Sequence, residues 1–218
     1  MLNSIRHITG AIMYGEDGRI GTVSGVLFDT RTWVIRYLAV DLEHEQRGRS
    51  ILVSPRFIRR SFDRSNEIEV TLTHAQAAGS PSARQTRTLA EPNERDMLPR
   101  IEPGDRPRSA GPAAAAQPAA ALDAHVCNSL EVNGCEVHAL DDTVGEVRDF
   151  FFETETWRIA FLLVDTNGRG PGGRKVLLAP ASVDKLDLVR GTVHVALTSE
   201  QVRGAPEYHE MLPDKVVA

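Results

Sequence analysis

Phe28-Asp29-Thr30-Arg31-Thr32-Trp33-Val34-Ile35-Arg36-Tyr37-Leu38-Ala39-Val40-Asp41 returns 124 residues later as Phe152-Glu153-Thr154-Glu155-Thr156-Trp157-Arg158-Ile159-Ala160-Phe161-Leu162-Leu163-Val164-Asp165. Both tryptophans of the chain fall in register inside this stretch, and self-similarity at a fixed spacing is the signature of a duplicated structural unit. Working outward, Gly10 and Gly21 match Gly134 and Gly145 at the same offset. After one inserted residue beyond Asp165, Gly48-Arg49, Pro55, Leu72-Thr73, Gln76, Gly79 and Pro81 match Gly173-Arg174, Pro180, Leu197-Thr198, Gln201, Gly204 and Pro206. The chain therefore divides into a first domain at 1–81, a linker at 82–124 and a second domain at 125–213. The linker holds six of the twelve prolines and an alanine run, Ala113 to Ala116 and Ala119 to Ala121. A segment with so few large apolar residues cannot offset its ordering entropy, which predicts a disordered tether.

Each copy reads as short strands closed by a helical turn, an all-β expectation. Asp17-Gly18 is a hairpin dipeptide, whereas the second copy carries the weaker Asp141-Asp142. Glycines 21 and 25 inside the next strand predict a bend or a close backbone approach, as a small barrel needs. The strand after the Trp33 turn is apolar at both parities, with Ile35, Tyr37 and Ala39 assigned to one face and Val34, Leu38 and Val40 to the other; in the second copy Ile159, Phe161 and Leu163 share one face, and Leu162 and Val164 the other. A strand buried on one face only would alternate with polar residues. Phe150-Phe151-Phe152 makes the same demand, because successive side chains on a strand point to opposite faces. Part of the exterior must be covered, either by a segment of the same barrel or by a barrel–barrel or dimer contact. Thr198 or Ser199 is the expected N-cap of the closing helical turn, with Pro206 beyond its end.

Composition sets limits on function. Hydrophobic residues at 41% and charged residues at 25% are ordinary for a globular protein. The first residues lack the apolar run of an export signal and no stretch reaches the ~20 apolar residues that span a bilayer, so a cytoplasmic protein is expected. Two cysteines are too few for a disulfide framework. Residues 1–77 carry a net charge of +1 and residues 125–218 a net charge of −6. The acidic second half disfavours nucleic acid as a partner, since that affinity rests on clustered cations.

The order Gly10, Asp17-Gly18-x-Ile20-Gly21, Phe28-Asp29-x-x-Thr32-Trp33-x-Ile35-Arg36-Tyr37-Leu38-x-Val40-Asp41, Ile51-Leu52-Val53-x-Pro55 resembles the PRC-barrel, the fold of the cytoplasmic domain of the photosynthetic reaction centre H subunit and of the C-terminal domain of a ribosome maturation factor. The resemblance covers both copies and implies two PRC-like barrels. It also implies a module that docks onto other proteins and often self-associates, with no catalytic residues to carry over. A peripheral seat on a membrane complex is compatible with it.

Candidate chemistry is sparse. There is no Gly-x-Ser-x-Gly elbow, phosphate-binding glycine loop or His-Glu-x-x-His pair, so neither an enzyme nor a cofactor is expected. His125, Cys127, Cys135 and His138 supply the residue types of a zinc site, but their spacing fits no standard ribbon or finger and the first copy has Met1, Asn3, Ala11 and Tyr14 instead. They read as strand residues rather than metal ligands. Arg56, Arg59, Arg60 and Arg64 form a basic cluster in the first copy that would meet an acidic partner or RNA, or simply be a solvated face. The expected function is a protein-binding adaptor or self-associating scaffold working through Phe150, Phe151, Phe161 and Leu163. The alternatives are an RNA- or ribosome-associated factor and a metal- or ligand-regulated module.

Overall fold

The computed structural model describes residues 1–43, 48–61, 66–83, 125–166 and 174–209, which include Ser82 and Ala83 at the start of the expected linker; the rest of the linker and Arg64 lie outside them. The described residues are mostly β. The first half contains β1 (Leu2–Ser4), α1 (Ile5–Ile8), β2 (Ile12–Gly15), β3 (Gly18–Asp29), β4 (Val34–Leu42), β5 (Ser50–Val53), β6 (Ile58–Ser61), β7 (Glu67–Val70) and α2 (His74–Ala78). The second repeats this order with β8 (Val126–Asn128), α3 (Ser129–Val132), β9 (Glu136–His138), β10 (Thr143–Glu153), β11 (Ile159–Asp165), β12 (Lys175–Leu178), β13 (Val183–Asp187), β14 (Thr192–Val195) and α4 (Ser199–Arg203).

Two sheets of the same strand order result, β5-β4-β3-β2-β7-β6 and β12-β11-β10-β9-β14-β13. In each, the short strand after the helical first turn pairs in parallel with the last strand, β2 with β7 and β9 with β14, and all other neighbours are antiparallel. Gly21 and Gly145 occupy the close approach that the sequence predicts. A Cβ on Gly21 would lie 2.1 Å from the Asp41 carbonyl oxygen, and one on Gly145 would lie 2.2 Å from that of Asp165. The closing helices also match. Thr73 and Thr198 each accept the amide of the third helical residue while Gln76 and Gln201 reach back to the cap amide, forming two capping boxes. Asp17 and Asp141, in the two hairpin turns, accept the amides of His74 and Ser199 at 2.7 Å, so each turn aspartate is also tied to the helix start.

The sheets are not built each from its own half. β8 pairs with β3 of the first half through Leu27↔Asn128, Phe28↔Cys127 and Asp29↔Val126, and β1 pairs with β10 of the second half through Leu2↔Glu153, Asn3↔Phe152 and Ser4↔Phe151. The halves thus exchange their first strands, and a single buried cluster runs through both, from Ile5, Met13 and Phe28 to Phe150, Phe152 and Val193.

One expectation about faces is corrected. Bulges between Leu27 and Phe28 and between Phe151 and Phe152 shift the strand phase, so Ile35 and Ile159 point into the main core while Tyr37, Ala39, Phe161 and Leu163 do not. An extra residue on one strand inverts the side-chain alternation beyond it.

Candidate functional site

The two Phe-to-Trp turns meet at the centre of the molecule. In the first, the Trp33 amide donates to the Asp29 carbonyl at 2.7 Å, and Trp33 adopts φ 55°, a left-handed conformation. Trp157 does the same against Glu153, with φ 57°. A bulky residue in that region costs about 1–3 kcal/mol, so the surroundings must hold it there. They do so in two ways. Each indole stacks on the phenylalanine that opens its turn, Trp33 on Phe28 with centroids 5.4 Å apart and Trp157 on Phe152 at 5.3 Å. The carbonyls then cross the seam: Trp157 accepts the Ile35 amide at 2.8 Å and Trp33 accepts the Ile159 amide at 2.7 Å.

The Asp29 side chain braces its turn by accepting the amides of Arg31 and Thr32 and the Arg36 guanidinium at 3.1 Å. Burial works against its charge, but these donors together hold the carboxyl below its ordinary range.

Phe150 lies in this seam, 1% exposed, with its ring 5.5 Å from Phe28 of the other half. It is therefore covered within the chain and is not part of an outward surface. Next to it Asp149, 8% exposed, accepts the Ser4 hydroxyl at 2.5 Å and the Arg6 amide at 3.0 Å from the first half, and the Phe150 amide at 2.7 Å. Burial outweighs these donors and raises its carboxyl above the ordinary value.

The other three predicted contact residues lie on the outer face of the second sheet. Phe151 and Phe161 are half-buried and Leu163 is buried; Tyr208, from the segment after α4, lies against Phe151 with centroids 5.1 Å apart. On the first sheet the equivalent residues are Leu27, Tyr37 and Ala39, and Ala83 stands where Tyr208 stands. With an alanine in place of the aromatic, a groove of about 1050 Å³ lies along the outer face of β3 and β4, bounded by β8, α3 and β13. Its apolar lining includes Leu27, Ala39, Val126, Leu130, Leu186 and Leu188, with Arg31, Asp184 and Lys185 among its charged residues. Leu130 is 51% exposed and Leu188 38% exposed. This groove was not anticipated, although the signal existed: the positions matching Leu130 and Leu188 in the first copy are Arg6 and Asp63.

Two arginines of the basic cluster have near neighbours among the described residues. Arg59 pairs with Glu16 at 3.1 Å beside a hollow of about 300 Å³ that Glu67 and Glu69 also line, Arg56 lies 4.6 Å over the Phe57 ring, and Arg60 is in β6. The four histidine and cysteine candidates are dispersed in role. Cys127 packs from β8 into the seam, where burial above all, aided by Glu131, Cys135 and Asp29, pushes its thiol up to about 12. The Cys135 thiol donates to the Glu131 carbonyl at 3.2 Å, His125 is exposed, and His138 lies 5.2 Å from the His194 ring. Among the described residues no group of three or more His, Cys, Asp or Glu is placed to hold a metal ion.

Residues 130–202 match the family model described as the PRC-barrel domain. That PRC-barrel match runs from α3 to α4 and takes in β9 to β14, all of the second sheet except the β1 strand received from the first half. No curated protein matches the chain. The N-terminal half lies outside the match and has the same strand order. A PRC-barrel domain points to a binding or adaptor module. No helix among the described residues is long and apolar enough to cross a membrane.

Proposed function

We propose that the chain is a non-enzymatic adaptor made of two PRC-barrels, and that it holds an apolar segment of a partner protein in the groove along β3 and β4. The observation that carries this reading is the difference between the two outer faces. The Phe151–Tyr208 aromatic pair occupies one, and Leu27 with Ala83 leaves about 1050 Å³ along the other. Apolar walls with a few charged groups at the edge are what fix and orient a bound segment. Self-association through Phe150, the other form of the scaffold idea, loses support because Phe28 already covers that ring. The free thiols Cys127 and Cys135 suit a reducing compartment, in keeping with a cytoplasmic role.

Crosslinking of the full chain in cells, read by mass spectrometry, tests the reading. Leu130→Glu and Leu188→Glu place charge on side chains that are already exposed, and Ala83→Tyr copies the aromatic of the other face. All three are expected to remove the same partner crosslinks while leaving unfolding midpoints unchanged. Partner crosslinks that persist in all three variants would rule the groove out.

A further inference from the structure

The seam has two equivalent places where an exchanged strand and its following helix dock on the other half's sheet, and their polar chemistry differs. At the first, Ser4 and Arg6 from β1 and α1 meet Asp149 of β10, with three donors converging on the carboxylate once the Phe150 amide is included. At the second, Asn128 and Leu130 occupy the positions of Ser4 and Arg6, and Gly25 occupies the position of Asp149. There Asn128 spends its side-chain oxygen on the Leu130 amide at 3.0 Å. A Cβ on Gly25 would lie 3.1 and 3.2 Å from the two Asn128 amide atoms and 3.5 Å from a Leu130 methyl.

We infer that this pair of unlike contacts, Ser4 with Asp149 and Asn128 with Gly25, selects pairing of a first half with a second half and rejects pairing of two like halves. Two second halves would press a whole Asp149 carboxylate into space that barely admits a Cβ, against an asparagine oxygen and a leucine. Two first halves would set the Ser4 hydroxyl and the Arg6 amide against Gly25, which offers no side-chain acceptor. Part-buried donors left without the carboxylate that accepts them and a crowded carboxylate both count against the wrong pair, which is specificity by penalty as well as by attraction. In a chain carrying both halves the choice has a structural consequence. Like-with-like pairing links chain to chain in an open series, whereas unlike pairing closes within one chain.

The test uses the full chain with a protease site placed in the 84–124 segment. The folded protein is cut, the products are dissociated in urea and refolded by dilution, and native mass spectrometry counts the pairs. The natural sequence is expected to return first-with-second pairs in more than about tenfold excess over the statistical 2:1:1 mixture. Two variants make both contacts alike: Ser4→Asn with Asp149→Gly, and Gly25→Asp with Asn128→Ser. Each copies a contact that already exists in the fold, and each is expected to yield like pairs close to the statistical mixture. A statistical mixture from the natural sequence, retention of unlike pairs alone in both variants, or failure of both variants to pair at all would overturn the inference.

Discussion

Phe28→Ala and Phe150→Ala, alone and together, probe whether the seam is one structural unit. Both rings are fully buried in the cluster that runs through the two halves, with centroids 5.5 Å apart and planes tilted by 50°. Removing either ring leaves a cavity in a packed interior, and a Phe→Ala change of this kind costs about 3–5 kcal/mol. A tilted aromatic pair adds about 0.5–1.5 kcal/mol of direct coupling beyond area burial, so the double variant is expected to lose less than the sum of the single losses by that amount. Since a domain of this kind holds only about 5–15 kcal/mol in total, each single change is large against the whole. The assay is urea unfolding followed by tryptophan fluorescence, because Trp33 stacks on Phe28 and Trp157 lies across the seam, together with far-ultraviolet circular dichroism. With strands exchanged and a shared cluster, both probes are expected to report one transition in the natural sequence, with the same midpoint. Additive losses in the double variant, or two separate transitions in the natural sequence, would refute a common core.

Three further outcomes follow from single sites. Asp149 has a folded-state carboxyl raised above its ordinary value, so its contribution to stability is present below that value and is lost as pH rises through the folded one; Asp149→Asn is expected to abolish this part of the pH dependence, seen as a flatter plot of urea midpoint as pH rises above the ordinary carboxylate range. With Cys127 pushed up to about 12 and both thiols buried, the folded protein at pH 8 is expected to react negligibly with a thiol reagent, and both cysteines are expected to react on unfolding; fast labelling of folded protein would contradict the seam packing. Gly21→Ala and Gly145→Ala each drive a methyl to within 2.1–2.2 Å of a backbone carbonyl oxygen, and both are expected to cost at least about 1–3 kcal/mol by thermal or urea unfolding, with equal losses if the two sheets are built alike.

What the sequence discloses and what it conceals divide along a physical line. Turns and caps act within a few residues, so Asp17-Gly18, the Trp33 and Trp157 turns and, of the two candidates Thr198 and Ser199, the Thr198 cap could be read in the chain and are where the structure places them. Strand exchange could not be read, because β1 and β8 are three residues long and no periodicity in so short a stretch states which sheet it will join. Face assignment failed at Ile35 and Ile159 for a related reason, since a bulge changes phase without changing composition. Gly25 could be read only as a generic strand glycine, yet its value lies in the Asn128 side chain that seats against it from the other half. The positions on which the proposed groove and the proposed selection at the seam rest show in another form, as departures of one copy from the other: Ala83 against Tyr208, Arg6 against Leu130, Gly25 against Asp149. In a duplicated chain the matched positions report what the fold requires of both halves. A mismatch at a buried or groove-lining position is where two halves are free to take different tasks, and the proposed groove and seam selection rest on such positions, Ala83 against Tyr208 and Gly25 against Asp149.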